Sequence, residues 1–292
     1  MTESKVHTRA LLVWLNISTW SARKYDKRAT ADTNRLHHAS DDAGRYNKML
    51  LPGDASSYRA LVTLAGSIRA EHYTNTLAWS DEGWRLLPTA QYITYTDWLR
   101  KRQADFDRAV DAFVQDYPTL RTQAYARLGG LYKPEDYPDV SDIRSKFSIG
   151  LNYMPVPAAG DIRVDLASDQ IATIETEIQN KCQSSMQTAM RDCWHRLHEV
   201  VSHAAVKLSD PSAIFRDSLI ENLRETCEVL KRLNVSDDDD LEITRSVILA
   251  QIGRHDPETL RTNKVVRQQT ADKAKAILDS MAAFYGGNNT AV

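Results

Sequence analysis

The sequence predicts an α+β protein that is mainly α-helical, with a small antiparallel sheet of about three strands and long antiparallel helices. Three observations lead to this class: short segments with two-residue alternation, helical spacing over most of the chain, and a long run, residues 168–209, without proline or glycine. The composition, 42% hydrophobic and 26% charged with a net charge of -2, is typical of globular chains and excludes disorder.

Three segments alternate apolar and polar residues with the period of a half-buried strand. They cover residues 9–20, 147–153 and 161–166. The linker between the last two contains Pro155, Pro157 and Gly160, and it is compatible with antiparallel pairing. Three strands backed by helices form a stable sheet, whereas two strands alone are marginal.

Four helices are predicted in the first half of the chain: the first is a short polar helix, and apolar residues at helical spacing indicate the second and third. These helices cover residues 27–40, 55–75, 90–117 and 118–129. The last begins at Pro118, because proline suits the first helical turn, and it ends at Gly129 and Gly130. Residues 79–88 and 131–145 are predicted to be loops.

Residues 168–209 predict one long and nearly straight helix. Its apolar stripe runs from Ile171 to Leu208 in steps of three and four residues. That spacing is close to the 3.6 residues per turn of an undistorted helix, which would be about 60 Å long here. We expect it to pack against the helix over 90–117.

Three further helices are predicted after residue 209. The first begins at Pro211, the second follows Ser236 as N-cap, and the third covers about 264–285. We therefore divide the chain into a sheet with a long helical hairpin, residues 1–209, and a C-terminal helical subdomain, residues 210–292, packed on it. One continuous domain is the alternative.

No catalytic, cofactor or metal motif is complete. His198 and His203 are five residues apart, about 140° around a helix, so they do not share a face as the histidines of a zinc protease do. Asp161 and Asp165 on one strand face could hold a divalent ion in a nuclease, although a solvated sheet face is the simpler interpretation. We predict no catalytic residue, no cofactor and no metal.

The best binding signal is the interleaving of basic and aromatic residues. Single-stranded nucleic acid is bound by cationic grooves with stacking rings. The simpler interpretation, a solvated rim whose aromatic bodies lie in the core, is favoured. The candidate residues for nucleic-acid or partner binding are Trp20, Arg23, Lys24, Tyr25, Lys27, Arg28, Arg45, Tyr46, Lys48, Arg69, His72 and Tyr73.

Several features bear on the compartment. No apolar run is long enough to cross a membrane, so no membrane partner is expected. The N-terminus lacks the cleavage site of a signal peptide. Three cysteines, an odd and sparse set, suggest a reducing compartment, and we expect a cytoplasmic protein.

The segment LNISTWSARKYDK, residues 15–27, resembles the opening signature of an uncharacterised family carried by bacteriophages, prophages and plasmids. Further similar segments lie at residues 44–52, 69–79, 85–88, 155–166 and 215–219. The family has no agreed activity. The resemblance implies a mobile-element protein acting in the bacterial host cytoplasm. Members of the family are often encoded near MoxR-like AAA ATPases and von Willebrand-A-type proteins, and this gene neighbourhood implies an adaptor role.

The expected function is therefore a non-enzymatic accessory protein of a phage or plasmid. It would act through a protein partner or through self-association, for instance as an adaptor for an AAA ATPase system. Single-stranded DNA binding in recombination is the alternative, and a metal-dependent nuclease is a weaker one.

Overall fold

The structure is a computed structural model that describes residues 6–158, 160 and 164–285, with only the backbone for residues 283–285. It is an α+β fold, mainly helical, as predicted. The helices are α1 Val6–Arg9, α2 Lys27–Leu36, α3 Ser56–Thr74, α4 Tyr92–Leu128, α5 Ser168–Ser209, α6 Ser218–Leu233, α7 Asp239–Ile248, α8 Pro257–Thr262 and α9 Lys264–Tyr285. The strands are β1 Ala10–Ser18, β2 Arg23–Tyr25, β3 Asn47–Met49, β4 Leu77–Ala78, β5 Arg85–Pro88 and β6 Ser148–Pro155.

The strands form a four-stranded sheet in the order β4-β5-β1-β6 and a separate two-stranded sheet of β2 and β3. In the larger sheet β5 pairs antiparallel with β1, so that Pro88 faces Ala10 and Arg85 faces Val13. The loop predicted over 79–88 is shorter than expected, because residues 85–88 form β5. A tight turn at Gly83, whose φ is 95°, joins β5 to β4.

Two of the three predicted strands are confirmed, as β1 and β6. In the third, residues 161–163 lie outside the described residues, and residues 164–166 are not a strand. The amide of Leu166 donates to the carbonyl of Val164 at 3.1 Å, which closes a tight turn and interrupts an extended ladder.

The predicted helix break at Pro118 is wrong, because α4 continues through this residue. The apolar register crosses it without interruption: Phe113, Tyr117 and Ala124 are buried on both sides. The Tyr117 hydroxyl also donates to the Pro138 carbonyl at 2.9 Å. Burial of this continuous stripe offsets the helical hydrogen bond that proline cannot donate.

Helix α5 has the predicted bounds, Ser168–Ser209. It packs on α9 and α6, so the predicted packing against the helix over 90–117 is wrong. Small residues explain this partner, since Ala271 and Ala274 of α9 are fully buried and allow two helices to approach closely.

The helix predicted from Pro211 is present as α6, but its predicted start is wrong, since α6 begins at Ser218. The Asp210 carboxylate accepts from the Ser212 amide at 2.8 Å, and this turn chemistry competes with helix. Helix α7 begins two residues later than Ser236 as N-cap implied, because Asp238 is its N-cap and accepts from the Leu241 amide at 3.0 Å.

The chain forms two compact units. The first comprises Met1–Trp14, His72–Tyr95 and Asn152–Val292, and the second comprises Leu15–Glu71 and Thr96–Leu151. The first unit includes the packed helices α5, α6, α7 and α9. In the second, α3 and α4 bury large side chains, among them Leu61, Ile68, Phe106 and Phe113. The division predicted after residue 209 stays a prediction.

Candidate functional site

A small antiparallel hairpin in the second unit brings most of the predicted binding residues together. In its register Arg23 faces Met49, Lys24 faces Lys48 and Tyr25 faces Asn47. The ladder extends at both ends, through the Asp26 amide on the Tyr46 carbonyl at 3.0 Å and the Leu50 amide on the Ala22 carbonyl at 2.8 Å. Strands of three residues are too short to show alternation in sequence.

Seven of the twelve predicted residues are exposed on or beside this hairpin, and we call them the hairpin surface. They are Arg23, Lys24, Tyr25, Lys27, Arg28, Arg45 and Tyr46. The Tyr25 and Tyr46 residues are 46% and 40% exposed, so their rings remain available for contact. The Arg45 guanidinium lies 5.9 Å from the centre of the Tyr25 ring, within cation–π range.

The charges of the hairpin surface are largely uncompensated. Within the part of the chain that the structure describes, no carboxylate forms an ion pair with Arg23, Lys24, Lys27 or Arg45. Arg28 lies 3.9 Å from Asp32, but its side chain is 91% exposed. An exposed pair of this kind contributes little, so its charge remains available to a polyanion.

Lys48 lies beneath this surface rather than on it. Its residue is only 2% exposed, and its Nζ atom lies 3.1 Å from Asp26 Oδ2, 2.6 Å from Asp136 Oδ2 and 2.8 Å from the Leu131 carbonyl. Burial lowers the pKa of Lys48, but the hydrogen bonds to Asp136 and Asp26 outweigh burial and raise it above its usual value. Lys48 therefore holds the hairpin in place and is not accessible to a partner.

Asp26 connects this ion pair to helix α2. Its carboxylate accepts from the Ala29 amide at 3.0 Å and so caps the helix. The pKa of Asp26 is lowered by the Ala29 amide and then by Lys48. The cap places Lys27 and Arg28 in the first turn of α2, directly after β2.

Trp20 and Arg69 support the second unit from within. Trp20 is half-buried, with its ring 5.8 Å from that of Tyr117 and 6.4 Å from that of Tyr58. The Arg69 guanidinium is half-buried and donates to the Ile17 carbonyl at 2.7 Å. Both side chains are engaged in contacts within the second unit.

His72 and Tyr73 belong to the first unit and are not part of the hairpin surface. His72 is 2% exposed, and its Nδ1 atom lies 2.6 Å from the Tyr95 hydroxyl. Burial, together with the positive charge of Arg85, lowers the pKa of His72 to about 4. The Tyr73 ring is exposed and carries the Arg85 guanidinium at 4.7 Å from its centre.

A second aromatic and basic group, which was not predicted, lies in the same unit as the hairpin. Three tyrosines at the end of α4 and in the following segment contact one another, and we call them the tyrosine stack: Tyr125, Tyr132 and Tyr137. Arg121 and Arg127 lie on the same turns of α4. The alternation of arginine and tyrosine over residues 121–137 was the signal that could have found them.

No metal centre emerges from the described ranges, in which no group of three or more histidine, cysteine, aspartate or glutamate side chains could hold an ion. His195, His198 and His203 line an open groove of about 710 Å³ beside α6. His195 pairs with Glu199 at 3.5 Å, and both side chains are largely exposed. Asp161 lies outside the described residues, and Asp165 is exposed on a segment that is not a strand.

The chain matches no protein-family model, no curated protein and no solved structure. No helix in the described part of the chain has both the length and the apolarity needed to cross a membrane.

Proposed function

We propose that this chain is a non-enzymatic accessory protein of a bacterial mobile element, that it acts in the host cytoplasm, and that its hairpin surface binds single-stranded nucleic acid. The proposed role in a mobile element rests on the family resemblance of residues 15–27 and of the similar segments that follow them. The activity rests on one observation: five cationic residues and two exposed tyrosines occupy one hairpin and the helical turn beside it.

The chemistry of this surface fits an unpaired strand better than a duplex. Lysine and arginine attract phosphates of either form, but the face of a tyrosine ring stacks only on a base that is not already paired and stacked. Tyr25 ends β2, Tyr46 immediately precedes β3, and both stay exposed, while Arg45 lies over Tyr25. The free cations contribute affinity, and the rings contribute the preference for single strands.

A labelled oligothymidylate tests the proposal by fluorescence anisotropy over a range of salt concentrations. We expect Arg23→Glu/Lys24→Glu to weaken binding at least about tenfold and to reduce the salt slope by about 1.4, because two phosphate contacts are lost. The matched control is Lys231→Glu/Lys275→Glu, which makes the same change of charge at exposed positions in the first unit. A chain that binds no oligonucleotide, or a hairpin variant that binds like the control, contradicts the proposal.

A protein partner or self-association is the second candidate, in the form of an adaptor for an AAA ATPase system. It is favoured by the first turns of α5, where Ile171, Ile174 and Ile178 form a half-exposed apolar stripe. Light scattering of the purified chain would give a mass above 33.0 kDa if this stripe mediates self-association. Ile174→Asp/Ile178→Asp would then restore a monomer, whereas a wild-type monomer that captures no ATPase component rejects this candidate.

A further inference from the structure

We infer that the tyrosine stack is a second subsite for the same single strand, in which Tyr125 stacks on a nucleobase and Arg127 contacts the neighbouring phosphate. This inference rests on the proposed function and extends it from the hairpin surface to the end of α4. Nothing in the sequence pattern alone joins residues 121–137 to residues 23–46; the structure does so through β3.

The stack is ordered from the core to the solvent. Tyr137 is buried, and its hydroxyl donates to the Leu50 carbonyl at 2.7 Å. The Tyr132 ring stacks on it at an angle of 30°, with the centres 5.2 Å apart. Tyr125 meets Tyr132 at an angle of 87° and 5.1 Å, and it remains 66% exposed. The outermost ring is therefore held by its neighbours, which lowers the entropy lost when a base binds.

The stack adjoins the hairpin through the end of β3. The Arg127 guanidinium donates to the carbonyls of Met49 and Leu51, the latter at 3.1 Å. Leu50, between them, receives the Tyr137 hydroxyl and packs in one cluster with Ala124. A strand that leaves the hairpin past Met49 thus meets the turn of α4 that carries Arg127 and Tyr125.

The charge of this region suits a phosphate. Arg127 is bound only to carbonyls within the described chain, so that no carboxylate there neutralises it. Lys133 is exposed close by. Arg121 is engaged by Tyr132, with Nε 3.4 Å from the hydroxyl, and lies near Asp139, so we assign it to positioning the stack.

Fluorescence anisotropy with two lengths of labelled oligothymidylate, about four and about twelve nucleotides, distinguishes binding at the hairpin alone from binding at both subsites. We expect Tyr125→Ala to weaken the longer oligonucleotide about 5- to 150-fold, the range for one stacked base, and to leave the shorter one unchanged. Tyr125→Phe should restore binding, because the ring and not the hydroxyl stacks. The control is Tyr153→Ala, which removes a ring of similar exposure, 48%, in the first unit.

The outcomes distinguish this inference from the proposed function. If Tyr125→Ala binds the longer oligonucleotide like wild type, or weakens both lengths equally, the second subsite is overturned while the hairpin proposal stands. If the wild-type chain binds neither length, both are overturned. Tyr125 is mostly exposed, and a thermal melt unchanged from wild type will show that the variant is folded.

Discussion

The ammonium of Lys48 donates to the carboxylate of Asp26 at 3.1 Å, and both side chains are almost completely buried, at 1% and 3% exposed. The pair joins β3 to the N-cap of α2. It therefore fixes the position of the two elements that carry the hairpin surface. A buried ion pair is held by its geometry, and the loss of one partner leaves the other charge uncompensated.

We expect Lys48→Met to lower the free energy of unfolding by about 3–5 kcal/mol, because Asp26 and Asp136 would be left buried without a cation. Urea unfolding followed by circular dichroism measures this change. Lys24→Met is the control, since Lys24 is the exposed residue opposite Lys48 in the ladder. Its expected effect is below about 0.5 kcal/mol. Equal effects of the two substitutions would show that the Lys48 pair does not anchor the hairpin.

His38→Gly should stabilise the chain by about 1 kcal/mol or less. Helix α2 ends in a Schellman motif, with the His38 amide on the Arg35 carbonyl and the Ala39 amide on the Asn34 carbonyl. This motif holds His38 at a φ of 51°, where only glycine is free of strain. His37→Gly is the comparison: its φ is -96°, so glycine relieves nothing there. A thermal midpoint that rises no more for His38→Gly than for His37→Gly would contradict this explanation.

The elements that were predicted correctly are long enough for a regular pattern of apolar residues to be recognised in the sequence. Helix α5 repeats its apolar step from Ile171 to Leu208, and β1 is nine residues long. Strands β2 to β5 have between two and four residues, too few for any period to appear. Their pairing depends on the partner strand, which the sequence does not reveal.

Some of the predicted binding residues are exposed on the hairpin and others are not, and the sequence alone does not distinguish the two groups. Charge and aromaticity can be read from the sequence, but burial cannot. In the sequence Lys48 is indistinguishable from its exposed basic neighbours, but in the structure it is buried between Asp26 and Asp136. His72 and Tyr73 are close in sequence to Arg69 but belong to the other unit. The tyrosine stack was missed because its relation to the hairpin depends on tertiary contacts with β3.

Arg267→Leu should destabilise the first unit by about 3–5 kcal/mol. The buried guanidinium donates to four carbonyls at and beyond the end of α5, those of Lys207, Leu208, Asp210 and Ala213. Helix ends leave their last carbonyls without partners, and leucine cannot replace these bonds. Arg267→Lys should recover only part of the loss, since one ammonium cannot match the planar fork of donors.

The comparison for Arg267 is Arg261→Leu. Both guanidiniums lie over the ring of Phe215, at 5.2 Å for Arg267 and 5.9 Å for Arg261. Arg261 instead pairs with Asp217 and Glu258, whose side chains are exposed. We expect a much smaller change there, because exposed ion pairs contribute little. Equal losses in urea unfolding would mean that the ring contact, and not the carbonyl bonds, holds this turn.

The fold should lose stability as the pH falls from about 6.5 to about 4, through His72. Burial and the charge of Arg85 lower its folded-state pKa to about 4, below the unfolded value of 6.5. In that interval the unfolded chain therefore binds a proton that the folded chain does not, so acid favours unfolding. The free energy of unfolding should fall by up to about 3 kcal/mol through this group and change no further below pH 4.

Urea unfolding of wild type and of His72→Gln at several pH values between 7 and 4 isolates this contribution. Carboxylates titrate in both proteins, so their contribution cancels in the difference between the two curves. His203→Gln, which replaces an exposed imidazole of α5, is the control substitution. If His72→Gln keeps the wild-type pH profile, then His72 takes up its proton equally in the folded and unfolded states, and its contact with Tyr95 does not depend on a neutral imidazole.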